Sequence, residues 1–170
     1  ERELVEKIDA GKTFSFHYID IDNFKSYNDK YGYMKGDQII IETSGILSRN
    51  VKEHGNDEDF VGHIGGDDFV VMTSPAKAEL IARQVIRDFD SAVPGFYSEF
   101  DRKTGFIVAK DRSGRITNIP LMSLSIAIIN NTMGKSISNL LELTDITAEL
   151  KRYLKGLPGS NFMVNRRTVD

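Results

Sequence analysis

The stretch TFSFHYIDID, residues 13–22, constrains the fold more than any other part of the chain. It is rich in aromatic and β-branched residues, alternates bulky with smaller side chains from Phe14 onward, and ends in two acids, Asp20 and Asp22. Such a run predicts a buried strand, central in its sheet, that delivers carboxylates to its C-terminal end.

The segments that follow supply its neighbours. NFKSYNDKYG spaces Phe24, Tyr27 and Tyr31 as one face of a short helix, with Gly32 as its left-handed cap. GDQIIIETSGILSRNVKEHG predicts a second helix with Ile40, Leu47 and Val51 on one side and Asp37 in its first turn, where an acid complements the helix dipole. DFVGHIGGDDFVVMT predicts two strands around a glycine turn. SPAKAELIARQVIRDFDSAV predicts a third helix, capped by Ser74 with Pro75 at its first position and Leu80, Ile81, Val85 and Phe89 inward. Residues 105–120 predict a second hairpin turning at Asp111 to Gly114, and LMSLSIAIIN another buried strand. A last helix lies within SISNLLELTDITAELKRYLKG, and NFMVN closes the sheet beyond Pro158-Gly159. The expected class is α+β, a sheet layered with helices. Residues 1–12, with Leu4, Val5 and Ile8 at heptad-like spacing, predict the end of a linker helix entering from an upstream region, with the domain proper over 13–170.

Composition narrows the chemistry. Among 170 residues no cysteine occurs, so disulfides, thiolate metal sites and cysteine nucleophiles are excluded, and any metal must sit on oxygen or histidine. The formal net charge of -3 gives no general field for nucleic acid, and no apolar run approaches bilayer length. A soluble, cytoplasmic domain without nucleic-acid or membrane contact is expected. Small anionic ligands remain compatible, because a bound divalent cation supplies positive charge locally.

Two acidic loops attract attention. In DIDNFK the chain passes from a strand into a helix whose exposed amides suit phosphate. Taken alone, the simpler reading is that one acid caps the helix and the other is solvated. In HIGGDDF, residues 63–69, glycines and aspartates are also what a bare hairpin turn selects. Two adjacent carboxylates beside apolar FVVM nevertheless need compensation. If the loops are neighbours, Asp20 and Asp67 can bind Mg²⁺ (or Mn²⁺) through hard oxygens and leave sites for phosphate.

Together these segments resemble the GGDEF-domain diguanylate cyclases. DIDNFKSYNDKYGYMKGD, residues 20–37, is similar to the family's D-x-D-x-F-K-x-x-N-D-x-x-G-H-x-x-G-D stretch, and GGDDF follows at the family's separation. LMSLSIAII resembles its later T-x-S-I-G strand. The resemblance implies the GGDEF fold, a nucleotidyl-cyclase palm of ferredoxin-like type with a mostly antiparallel central sheet and an extra hairpin. It implies condensation of two GTP into cyclic di-GMP in a Mg²⁺-dependent homodimer, downstream of a sensory or regulatory domain. It further implies Asp20, Asp67 and the Ile21 carbonyl as metal ligands, and Asn28 and Asp37 as readers of guanine. Asn23, Phe24 and Lys25 would hold phosphate, Asp67 and Asp68 would serve catalysis, and Lys155 would reach the terminal phosphates, with Lys151 as its alternative one turn earlier. The implied alternative is an inactive GGDEF module that binds GTP or acts in regulation and dimerisation.

The chain departs from the family pattern in four ways. Asp68 stands for the usual Glu, shorter by about 1.5 Å. His63 stands where an Arg is common. NDED, Asn56 to Asp59, occupies the R-x-x-D feedback position without its Arg, which removes bidentate recognition. The second basic residue of the last helix has no counterpart.

Overall fold

The computed structural model describes residues 2–110, 114–132 and 137–165. In chain order the elements are α1 (Arg2–Asp9), β1 (Phe14–Asp22), α2 (Phe24–Tyr31), α3 (Tyr33–His54), β2 (Phe60–Gly65), β3 (Asp68–Thr73) and α4 (Pro75–Ala92). A 3₁₀ turn (Val93–Phe96) then leads to α5 (Glu99–Thr104), β4 (Phe106–Lys110), β5 (Ile116–Pro120), β6 (Ser123–Asn131), α6 (Leu140–Leu154) and β7 (Asn161–Val164).

The main sheet runs β2-β3-β1-β6-β7, so the aromatic opening strand is the middle one of five, as its composition predicts. Only the β6–β7 pair is parallel, which makes the sheet mixed. Alternation along β1 sorts its side chains onto two cores. Ile19 and Ile21 join Phe69, Val71, Leu124 and Ile126 under α2, α3 and α4. Phe14 and Phe16 join Met72, Ala127 and Ile129 under α1 and α6. Because both faces are covered, β1 has no solvent-facing polar stripe. The β4–β5 hairpin forms a separate two-stranded ribbon, and residues 111–113 of its expected turn lie outside the described residues.

Several local expectations are corrected. Gly32, with φ 88° and ψ 154°, has the positive φ that favours glycine but lies outside the left-handed helical well, and it serves both as the end of α2 and as the N-cap of α3. The second helix therefore starts at Tyr33, and Asp37 lies past its first turn, exposed. Its buried stripe is Ile39, Ile46, Leu47 and Val51, with Ile40 only half-buried. On α4 the inward stripe is Ala78, Ile81, Ala82, Val85 and Phe89, which turns Leu80 outward at 42% exposure. The 3₁₀ turn and α5 have no sequence forecast, since segments of four and six residues are too short to express a helical period. Among the described residues no helix is long and apolar enough to cross a membrane.

Candidate active site

The two acidic loops meet at one end of the sheet. β1 and β3 pair with Asp20 opposite Asp68, and the Ile21 amide donates to the Asp67 carbonyl at 3.1 Å. The glycine turn makes this approach feasible: Gly66 has φ 59°, and a register shift between His63 and Gly65 bends the edge strand. His63 is exposed, stacks on Phe69 with ring centres 4.6 Å apart, and lies with Nε2 2.9 Å from the Gly66 carbonyl, to which a protonated nitrogen donates. It thus braces the turn from the solvent side.

The end of α6 lies across these carboxylates. Lys155 Nζ is 2.9 Å from Asp20 Oδ1, and Lys151 Nζ is 3.1 Å from Asp20 Oδ2 and 3.4 Å from Asp68 Oδ1. Both lysines proposed from sequence as alternatives therefore converge on one carboxylate, because one helical turn separates them. Burial by itself would push the Asp20 carboxyl up, but Lys155 and Lys151 outweigh it and hold it below the usual carboxylate range. Asp67 moves the other way, pushed up by burial with the charges of Asp20 and Asp68 behind it. Asp22, raised by burial, accepts hydrogen bonds from Ser125 (2.8 Å) and Ser123 (3.1 Å) on β6, which secures the end of β1.

Beside the carboxylates a cleft of about 390 Å³ is lined by Asp20, Ile21, Asn23, Phe24, Lys25, Asp67 and Lys155, among others. Asn23 sits in the left-handed region at φ 62° immediately before α2, and its side-chain amide donates to the Pro120 carbonyl at 3.3 Å, tying this corner to the β4–β5 ribbon. Lys25 projects outward and pairs with Asp29 at 2.7 Å. Asn28 and Asp37 do not line this cleft. The Asn28 side chain instead lies against Gly36, where a Cβ would overlap its Oδ1, and that buried oxygen has no hydrogen-bond partner. The structure thus brings Asn28 next to the residue preceding Asp37, at the junction of α2 and α3.

The donor set suits a hard divalent cation. Asp20 Oδ1 is buried and close to Lys155 yet makes no hydrogen bond of good geometry, and Asp67 is destabilised as an anion by burial and, behind it, by its acidic neighbours. A cation would offset the charge on Asp67 and give Asp20 Oδ1 a partner. Among the described residues no cluster of three or more acidic or histidine side chains is arranged to hold a metal. Two carboxylates with a main-chain carbonyl are the kind of hard-oxygen donors that Mg²⁺ would take, with positions left for phosphate oxygens and water.

One neighbour of the site carries no motif signature. Tyr18, two positions before Asp20 on the same face of β1, has its ring centre 4.1 Å from Lys151 Nζ. Period-two spacing from Asp20 would have pointed to it, but an aromatic residue in a buried strand reads first as packing. A second feature missed by sequence is the tie between α2 and α5. Tyr31 donates to Asp101, Lys30 pairs with Asp101 at 2.7 Å, and Tyr27 donates to the Phe96 carbonyl at 3.0 Å.

Comparison with known proteins agrees with this arrangement. The profile of the family described as "Diguanylate cyclase, GGDEF domain" matches residues 1–104. The bifunctional diguanylate cyclase/cyclic di-GMP phosphodiesterase MucR of Pseudomonas aeruginosa is 30% identical over 90 residues, 51% of this chain and 13% of MucR. The diguanylate cyclase VdcA of Vibrio cholerae is 29% identical over 144 residues, 84% of this chain and 37% of VdcA. The chain thus spans only a fraction of the length of these relatives. The solved GGDEF domain of YfiN (TpbB) from Pseudomonas aeruginosa superposes with a TM-score of 0.63 at 20% identity, covering 98% of this chain and 91% of that one. A mixed five-stranded sheet between two helical layers, with paired aspartates at its mouth and a family profile over more than half its length, makes this chain a member of the diguanylate cyclase GGDEF-domain family.

Proposed function

We propose that this domain binds GTP with Mg²⁺ at the cleft between β1 and α2 and, as one half of a two-fold pair, condenses two GTP into cyclic di-GMP. The observation that carries the reading is the convergence of Asp20, Asp67, Asn23, Phe24, Lys25 and Lys155 on one cleft, within a family whose named members include diguanylate cyclases.

Asp20, Asp67 and the Ile21 carbonyl would hold the cation, which when bound supplies Lewis-acid stabilisation of charge on the phosphate oxygens. The amides of Asn23 and Phe24 with Lys25 bind phosphate at the strand-to-helix junction. Lys151 and Lys155, already directed at the carboxylates, take the terminal phosphates. Asn28 and Asp37 read the base, since a carboxylate accepts from the N1–H and N2–H donors that guanine has and adenine lacks. The 3′-oxygen of one nucleotide attacks the α-phosphorus of the other, and the bond to the β-phosphate oxygen breaks. Pyrophosphate leaves, and the hydroxyl proton passes to the Asp67–Asp68 pair. An upstream regulatory domain and a cytoplasmic setting belong to the same proposal.

A second reading is favoured by one observation: Asp68, already one methylene shorter than the family's Glu, is engaged by Lys151 at 3.4 Å. In that reading the domain binds GTP for regulation and does not turn it over. Incubation with GTP and Mg²⁺, followed by chromatography for cyclic di-GMP, separates the two. Product from the wild-type protein supports the cyclase, and nucleotide binding without product from a demonstrably dimeric sample replaces it with the regulatory module.

A further inference from the structure

We infer that Tyr18 is a positioning residue for nucleotide binding: its ring face holds the Lys151 ammonium between Asp20 and Asp68, in reach of the terminal phosphates. The inference rests on the proposed GTP site and goes beyond it.

Three observations carry it. The Lys151 Nζ lies 4.1 Å from the Tyr18 ring centre, well inside the range in which an aromatic quadrupole attracts a cation. That same nitrogen is 3.1 Å from Asp20 and 3.4 Å from Asp68, so one lysine is held by two carboxylates and a ring on three separate residues. On its other side Tyr18 borders an apolar cavity of about 520 Å³, shared with Phe16, Phe60, Val70 and Leu143. The ring thus lies between this cavity and the charged groups of the site, with Asp68 as well as the ammonium beside its side chain.

The physical need is plain. A lysine has four rotatable side-chain bonds and is costly to order. Lys151 sits in the last turn of α6, only partly shielded from water. When phosphate draws the ammonium away from Asp20, a carboxylate contact is weakened, whereas the ring face remains beneath the nitrogen in either state. Tyr18 thus keeps Lys151 at the mouth of the site instead of releasing it to solvent.

The test measures calorimetric affinity for a non-hydrolysable GTP analogue and for GMP, with Mg²⁺, in wild type, Tyr18→Phe, Tyr18→Leu, Lys151→Met and the double variant Tyr18→Leu/Lys151→Met. Tyr18→Leu is expected to weaken the triphosphate analogue about five- to tenfold and to leave GMP within about twofold. Tyr18→Phe, which keeps the ring, is expected to recover most of the loss. In the Lys151→Met background Tyr18→Leu should add nothing. Equal losses for GMP and the analogue, a loss in Tyr18→Phe as large as in Tyr18→Leu, or full additivity with Lys151→Met would overturn the inference. Should Tyr18→Leu not fold, Tyr18→Met, similar in length but without a ring, takes its place. If the wild-type protein binds neither nucleotide, the GTP reading itself falls; if it binds the analogue and Tyr18→Leu binds equally well, only the role of Tyr18 falls.

Discussion

Asp20 carries more of the site than any other side chain, since it is 4% exposed, paired by two lysines and opposite Asp68 across the β1–β3 ladder. Asp20→Ala is expected to lower cyclic di-GMP formation at least a hundredfold, as loss of the proposed metal ligand and of the lysines' counter-charge should. Unchanged turnover would remove the two-loop metal site. Gly36 is the second residue with little freedom, because a Cβ there would overlap the Asn28 amide. Gly36→Ala should expel Asn28 from its slot and raise the KM for GTP several-fold while leaving kcat within about threefold. A fall in kcat at constant KM would place Asn28 outside the base-reading role.

Among the elements, α2 depends on a neighbour that the motif does not contain. Asp101 on α5 is buried and receives Lys30 and Tyr31, so it anchors the end of α2 that follows Asn28. Asp101→Ala removes the acceptor of the Tyr31 hydroxyl, which keeps only the Ser98 amide as a partner, and the counter-charge of Lys30, and should cost roughly 1–3 kcal/mol in urea unfolding. It should also weaken GTP binding more than Glu53→Ala, an exposed-site control on α3. Within β1, His17 is 1% exposed with Nε2 3.2 Å from Thr73 Oγ1, and burial lowers its pKa to about 3. Its folded value lies below the unfolded value of 6.5, so the unfolded chain binds the proton first as pH falls. Stability from this group is complete above pH 6.5 and is lost as pH drops toward 3, on the order of a few kcal/mol in total. Denaturation midpoints across that window should fall steeply in wild type and less steeply in His17→Gln.

For the whole molecule, the proposed reaction joins two nucleotides, whereas the described residues of a chain form one carboxylate-lined cleft of this kind. Specific activity should therefore rise with protein concentration and level off as the pair saturates. Fusion to an artificial dimeriser should remove that dependence, and a rate strictly proportional to enzyme at all dilutions would argue against a shared site. The mixed sheet and its two helical layers bear on this geometry: α1 and α6 cover one face and α2, α3 and α4 the other, while the carboxylate end stays open.

Order and type of most elements were legible in the linear chain, because they rest on local chemistry. β-Branched and aromatic density marks β1, Ser74-Pro75 marks the start of α4, and paired glycines mark the β2–β3 turn. The acidic motifs and their separation were equally legible, and with them the family. What only the tertiary structure decided depends on contacts between distant segments. Lys151 and Lys155 meet Asp20 across more than a hundred residues, Tyr18 lies beneath one of them, and Asp101 latches α2. Local patterns encode burial and backbone preference, but the partner of a charged side chain is chosen by how the layers pack, and no spacing along the chain records that choice.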